Sequence, residues 1–477
     1  MPKNSPQKPV LESVKSAAST SQFYQSAEER ATQGKSLRNE TPRSAHSQWH
    51  APKNRPDPVD ILSASNAGRI EHLIPIRFGR MSQSPFAFYR GAAAIMASDL
   101  AQTPTSGLYV QACGDAHLMN FGGFATPERN VVFDINDLDE TLPAPFEWDI
   151  KRLAASVVIA AKHIELQTSD AASLVIDLVR KYREKMSDYA EMRALDVWYD
   201  KIDLQNHTDR STDPEVLKRA RKRLAQRIEQ ERRKSHPDIM YPKFVVHEGG
   251  APKIKDEPPL IFRTTELLMP GPQLDYANVI EAYRQTLPEH VRMLFNRFHY
   301  CDLALKVVGV GSVGTMCCVA LFMAGEKDPL FLQVKEARQS VLEPYAGKSA
   351  YANQGQRVVH GQRLMQSASD VFLGWTRGIN GRDFYIRQLR DLKLSAIIED
   401  WDIETLRLYV KMCGHALARA HARSGDPAKI AGYLGTSKSF DQAIGEFSVA
   451  YAEQNSLDYL AFIEAIHQGK IPAQLDA

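Results

Sequence analysis

The sequence predicts an α+β fold built from a small antiparallel β lobe and a larger helical lobe. Three observations lead there. Between Gly107 and Thr141, two short apolar runs end in Gly, Asn and Asp; between Leu303 and Ala337, three strand-like runs are opened by spaced glycines; and the flanks carry long helical patterns. With 477 residues, 43% of them hydrophobic, the chain has material for more than one core. Lys and Arg total 59 against 57 Asp and Glu, so the net charge of +2 gives no argument for nucleic acid or membrane as a partner. The five cysteines form no C-x-x-C pair, which suggests reduced thiols and the cytoplasm as default compartment. No apolar run reaches ~18 residues, and MPKNSPQKPV has no secretory h-region.

Residues 1–58 are rich in Ser, Gln, Pro, Lys and Arg, a composition that predicts a disordered or loosely attached tail. Order is expected from Val59. Ser84 and Pro85 suit the N-cap and first position of a helix that places Phe86, Tyr89, Ala93 and Met96 on one face. Arg77, Arg80 and Arg90 form a basic cluster, suited either to a substrate phosphate or to pairing with the acidic residues downstream. Leu108 to Ala112 reads as a buried strand that delivers Gly114 and Asp115 into a tight turn. A second strand, Val131 to Phe133, ends in Asp134, Asp137, Asp139 and Glu140. Carboxylates crowded past strand ends call for protein cations or a hard divalent ion such as Mg²⁺. Trp148 to Ile164 is a strongly apolar central helix, in which Asp149, Lys151 and Arg152 are expected as solvated first-turn charges. Helices continue to residue 235, the last carrying a run of Lys and Arg with interspersed Glu that reads as a solvated face, and a hairpin comes next in FVVHEGGAPKIK.

The second informative block begins at Asp302. A strand, Leu303 to Val308, runs into Gly309, Gly311 and Gly314, whose G-x-G-x-x-G spacing lets backbone N–H groups approach a phosphate. The motif fits either a dinucleotide-binding βαβ unit or a loop between antiparallel strands. The residues downstream of Gly314 favour the second: Cys317 to Met323 is β-rich, AGEKDP is a turn, and LFLQVKEA is a further strand carrying Lys335. A helix in 351–370, two strands in FLGWT and RDFYIRQLRDLK with a connection near Gln388 to Arg390, and an amphipathic helix in LRLYVKMCGHALARAHARSGD complete the pattern.

Asp115 and Asn120 stand in the D-x-x-x-x-N spacing of a phosphoryl-transfer catalytic loop. The segment GDAHLMN resembles the H-G-D-x-H-x-x-N loop of the aminoglycoside phosphotransferase and choline kinase branch of protein-kinase-like enzymes; Cys113 replaces the first His and His117 matches the second. The resemblance implies Asp115 as base, His117 shaping its loop, Asn120 with Asp134 or Asp137 on metal, Gly309, Gly311 and Gly314 over the nucleotide, and Lys335 on its phosphates. The 351–370 helix stands where a kinase carries the Glu that pairs with this Lys, yet holds none; Gln354, Gln356, Gln362 or the upstream Glu343 are the alternatives. The helix ending in HARSGD is similar to the L-A-x-x-H helix of that branch.

Since the catalytic block precedes the Gly-rich block, the resemblance implies a circularly permuted, two-lobed kinase-like fold. The expected units are the tail, 59–300 with the catalytic loop and most of the large lobe, 301–395 as small lobe, and 396–477 completing the large lobe. From Arg77 to Tyr451, segments such as RMSQSPFAFYRGAA, FDINDLDETLPAPFEWDIKRLAAS and GRDFYIRQLRD also resemble an uncharacterised bacterial family known only as a domain of unknown function. The functional expectation is an ATP- and Mg²⁺-dependent phosphotransferase with an unidentified small-molecule or protein acceptor. Nucleotidyl transfer in the same cleft, a nucleotide-binding scaffold without turnover, and an NAD-dependent oxidoreductase are the alternatives.

Overall fold

The runs of apolar and β-branched residues around Asp115 become short strands: β1 (Tyr109–Ala112), β2 (Phe121–Ala125), β3 (Val131–Ile135), β4 (Leu142–Pro145) and β5 (Ile202–Asp203). β1 pairs antiparallel with β4, Ala112 opposite Leu142, so the whole acidic stretch between them is folded back over the turn that β1 feeds. β2 and β3 form an antiparallel hairpin in a four-stranded sheet. The carbonyl oxygen of Leu394 lies 2.3 Å from where a Cβ on Gly122 would sit, so only glycine allows that neighbour. This computed structural model describes residues 25–206, 213–235, 237–263, 276–307, 309–378, 381–389 and 392–474.

The expected hairpin after residue 240 is β6 (Val245–Glu248) with β7 (Ala251–Ile254). Then come β8 (Ile261–Phe262), β9 (His299–Lys306), β10 (Cys317–Gly325), β11 (Asp328–Ala337), β12 (Gly374–Arg377), β13 (Asp383–Gln388) and β14 (Lys393–Ser395). The first six of these form one antiparallel sheet in the order β12-β13-β11-β10-β9-β8, and β14 crosses to pair with β2. The segment after Gly314 is therefore a strand pairing back on β9 and not a helix, so the βαβ alternative lacks the element it requires. The helix Gln354–Met365 connects β11 to β12, started by Asn353, whose side chain accepts from Gln356 N. Val308 and Arg390, placed by sequence in the first strand and in the connection after Gln388, lie outside the described residues.

The architecture is mixed α+β, and its helical part packs around Phe146–His163, in which sixteen consecutive residues, Phe146 to Ala161, are buried. Thr168–Glu191 and Ser439–His467 pack against it, and Ile403–Ser424 packs on Thr168–Glu191. Ser84 caps Pro85–Gly91 as expected, accepting from Ala87 N at 3.0 Å. All five cysteines are free, and among the described residues no helix is long and apolar enough to cross a membrane.

The expected loose tail ends earlier than its composition suggests. Residues 1–24 lie outside the described residues, but Ala27–Ser36 packs on Pro427–Leu434, and Trp49 is buried against Phe447 and Tyr451. Arg55 bridges Asp99 (2.7 Å) and Asp458 (2.6 Å). The segment is ordered by partners from the far end of the chain, which local composition does not register.

A close helix crossing gives the first prediction. Gly414 lets Ile403–Ser424 approach Thr168–Glu191 so closely that an added Cβ would lie 2.4 Å from Leu178 O. Gly414→Ala should lower unfolding stability by about 1–3 kcal/mol despite alanine's better helix propensity, read as a lowered denaturant midpoint at constant slope.

Candidate functional site

The turn after β1 is held by backbone hydrogen bonding into the core. Both carboxylate oxygens of Asp149 accept from it: Oδ2 from Cys113 N at 2.6 Å and Oδ1 from Gly114 N at 3.0 Å. His421 Nε2 lies 3.1 Å from Asp149 Oδ2, and Tyr182 Oη meets His421 Nδ1 at 2.9 Å. Gly114 has φ +82°, and a Cβ there would approach Glu140 O to 2.5 Å, so glycine is required twice over. Further along, Leu118 N donates to Ser156 Oγ, and Tyr409 Oη donates to the carbonyls of Leu118 and Phe121. The loop carrying Asp115, His117 and Asn120 is thus positioned from two helices.

Asp115 is about one-fifth exposed and pairs with Arg152, whose Nη2 and Nε lie 2.6 and 2.7 Å from Oδ1. Arg152 is buried, sits over the Tyr89 ring at 4.3 Å and donates to Tyr89 O. The other oxygen, Oδ2, is 3.8 Å from His117 Nε2. Burial brings the His117 imidazole down to about 4 even though Asp115 pulls the other way, so this ring is neutral at pH 7. Asn120 Nδ2 donates to Asp115 O at 2.7 Å, leaving its Oδ1 free to act as a ligand.

The four carboxylates of the acidic stretch divide their roles. Asp134 is fully buried; Arg419 Nη2 and Ile135 N donate to its Oδ1, and Ser367 donates to Oδ2 through N (2.7 Å) and Oγ (2.8 Å). It is a structural anchor with no oxygen left for a metal, so of the two candidate metal ligands only Asp137 faces a cavity. Asp139 takes Lys335 Nζ at 2.7 Å and the Tyr385 hydroxyl at 2.6 Å, while Asp137 Oδ2 lies 3.5 Å from the same Nζ. Burial disfavours the Lys335 ammonium, but Asp137 and Asp139 outweigh it and hold its pKa well above the usual range. Burial likewise works against the Asp137 carboxylate, and Lys335 and Arg387 more than offset it, keeping Asp137 ionised. Glu140 is different. Burial lifts its carboxyl to about 7, with Arg357 opposing, and its Oε2 accepts from Val341 N.

Lys335 therefore finds its carboxylate partner in the acidic stretch and not on the helix between β11 and β12. Glu343 accepts from Gln339, Gln354 accepts from Arg357, and Arg357 reaches the carbonyls of Asp139, Thr141 and Arg338. Gln362 Nε2 and Asn136 Nδ2 are buried without a hydrogen-bond partner, and both residues line a cavity of about 510 Å³. Its wall includes Gly309 and Ser312 of the glycine-rich loop, Lys335, Asp137, Arg387 and Lys393. Gly309 and Gly314 have φ +69° and +85°; Arg80 donates to Gly309 O, and Gly314 O accepts from Ile70 N. Burial, with Arg387 adding to it, brings Lys393 down to about 8. Arg77 is also taken, donating to Asn66 Oδ1 and Gly91 O, so neither Arg77 nor Arg80 pairs with the acidic stretch.

Asp137, Gly309 and Lys335 share the wall of that cavity, whereas Asp115, His117, Asn120, Gly311 and Gly314 are not part of its lining; the Asp115 loop adjoins it through Asn136 N, which donates to Asn120 O at 2.7 Å, and through Cys113 Sγ, 3.4 Å from Asp137 O. Asp134 is withdrawn into the core. Sequence reasoning did not assign Asp149, Arg152, Arg387 and Lys393. Asp149 and Arg152, expected as solvated, are 1% and 2% exposed; the signal that could have found them was their i, i+3 spacing inside an otherwise apolar helix.

The chain belongs to the family described as an uncharacterized protein conserved in bacteria (DUF2252), whose model matches residues 69–465. No curated protein and no solved structure matches it.

The two aspartates should separate on substitution. Asp134→Asn should destabilise the fold by about 3–5 kcal/mol, because it leaves Arg419 buried without its counter-charge, whereas Asp137→Asn should change thermal stability far less. Glu140 gives a pH test. The folded state holds its proton up to about 7, against an ordinary glutamate value of 4.5, so this group's contribution to stability declines as pH rises across that window. Glu140→Gln should therefore melt higher than wild type at pH 8, by at most about 3 kcal/mol, and equal to it at pH 4.5.

Proposed function

We propose that this protein is an ATP- and Mg²⁺-dependent phosphotransferase whose arrangement is that of a circularly permuted kinase-like fold. The observation that carries the reading is the meeting of Lys335, from the second strand after the glycine-rich turn, with Asp137, from the loop after the β2–β3 hairpin, at 3.5 Å on the wall of a 510 Å³ cavity. The cavity is large enough for a nucleotide. Its cations suit a triphosphate, its unpartnered amides suit a polar ligand, and Phe124, Phe244, Val371 and Leu389 offer apolar surface for a base. The order β9-β10-β11-β13-β12, with a helix between β11 and β12, supports the kinase-like assignment, since it is the sequence of a nucleotide-clamping sheet with its glycine turn, lysine strand and helix in turn.

On this reading each side chain has a task. Asp115 Oδ2 accepts the proton of the acceptor hydroxyl, while Arg152 fixes Oδ1 and so fixes the direction of the free oxygen. Asp149 sets the position of the loop. Lys335 holds phosphate oxygens, and backbone N–H groups of 309–314 close over them. Asp137 and Asn120 Oδ1 are the donors that would hold Mg²⁺; when bound, it neutralises charge on the phosphates. Mg²⁺ at such a site would take most of its ligands from phosphate and water.

A second reading, nucleotidyl transfer with the triphosphate reversed, is favoured by Arg387 and Lys393, which put two cations on the wall built by β13 and β14. Mass analysis of the product distinguishes a gained phosphoryl group from a gained AMP.

Mg·ATP at 100 times its Kd should raise unfolding stability by about 2.7 kcal/mol, and Mg·NAD should not. Asp115→Asn should keep that stabilisation and lower turnover by about 10²- to 10⁴-fold. Undiminished turnover would reject Asp115 as base, and ATP binding without any turnover in wild type would make the chain a nucleotide-binding scaffold.

A further inference from the structure

Of the three arginines that precede the acidic stretch, two are consumed by the protein itself: Arg77 by Asn66 and Gly91, Arg80 by Gly309. Arg90 is not. Its Nε is buried without a hydrogen-bond partner, and no described residue forms an ion pair with its guanidinium. The natural counter-ion, Asp115, is already committed through Oδ1 to Arg152. A buried guanidinium N–H left without an acceptor is costly, and a ligand oxygen would relieve that cost.

Its position says which ligand. The helix Pro85–Gly91 brings Arg90 against the glycine-rich loop, where its carbonyl oxygen lies 3.3 Å from the place a Cβ on Gly311 would occupy. Its charge acts on both Asp115 and His117, with Glu399 the other carboxylate in range. Arg90 thus adjoins, through its backbone, the loop that would cover the phosphates, and its charge is felt by the carboxylate that would receive the acceptor's proton.

Resting on the phosphotransferase reading above, we propose that Arg90 is a catalytic residue whose guanidinium binds the terminal phosphate of the nucleotide during transfer. In that step the acceptor oxygen forms a bond to the γ phosphorus as the bond from that phosphorus to the β–γ bridging oxygen breaks. ADP leaves with the electron pair, and the hydroxyl proton goes to Asp115 Oδ2. Charge on the three non-bridging oxygens is met by a cation supplied in cis, the kind of contact that contributes about 10³- to 10⁵-fold where an arginine serves this role.

The test compares binding of Mg²⁺ with the β,γ-imido analogue of ATP and with ADP, by titration calorimetry on the full chain. Wild type should favour the triphosphate by about tenfold or more, the worth of a charged hydrogen-bonded contact. Arg90→Gln should erase that preference while leaving ADP affinity and melting temperature unchanged, and Arg90→Lys should retain part of it. The inference is overturned if Arg90→Gln keeps the preference, if it loses ADP binding as well, or if wild type has no preference. Should Arg90→Gln fail to fold, an undiminished preference in Arg90→Lys overturns it. Failure of wild type to bind either nucleotide removes the phosphotransferase reading too, whereas the other failures leave that reading standing.

Discussion

A lysine with almost no exposure, wedged between two carboxylates, ties the two halves of this protein together. Lys335 belongs to the six-stranded sheet and Asp139 to the loop before β4, 196 residues away in sequence, and their charged atoms meet at 2.7 Å. An ammonium so placed is tolerable only with its partners present, because desolvation of a lone buried charge costs several kcal/mol. The sheet can dock on the helical body in a register that brings Lys335 to Asp137 and Asp139, or it leaves three charges uncompensated. Tyr385, one strand over on β13, donates to the same Asp139, so the contact fixes two strands of the sheet at once.

The same logic of buried charge organises the loop that bears Asp115. Phe146–His163 is apolar enough to sit at the centre of the helical part, yet its first two turns bury Glu147, Asp149, Lys151 and Arg152. Asp149 is spent on backbone N–H groups of the turn and Arg152 on the carboxylate that the turn presents. Neither is solvated instead, since β1 and β4 cover that end and His421 of the Ile403–Ser424 helix reaches Asp149. A charged group fixed by core packing has little freedom to reorganise, which is the condition for an electrostatically preorganised site.

Much of the fold was legible from the chain because its signals are local. Alternation and glycine spacing located β9 to β11 and the helix after them, and the Ser84–Pro85 pair marked a helix start. The features that stayed hidden depended on contacts distant in sequence. Every residue of β3 is buried, so strand parity could not say whether Asp134 or Asp137 faces a cavity; only Arg419 and Ser367, brought in from far along the chain, decide it. The partner of Lys335 was sought on the helix where kinases place a glutamate, and it came from the acidic stretch instead. Residues 25–58 read as loose because the groups that order them are distant in sequence, most of them beyond residue 420.

Those last contacts bear on how the glycine-rich loop is held. The segments that precede the first block and follow the second meet directly. Arg30 pairs with Asp426 at 2.9 Å, Arg38 and Arg43 donate to the carbonyls that end Pro427–Leu434, and Arg55 reaches Asp458. The same early segment holds the glycine-rich loop, through Arg69 to Val313 O and Arg80 to Gly309 O. Residues 25–80 therefore act as a strap, packing on the last helices at one end and on the glycine-rich loop at the other. Residues 69–80, more than two hundred positions earlier in the chain, thus brace the glycine-rich loop.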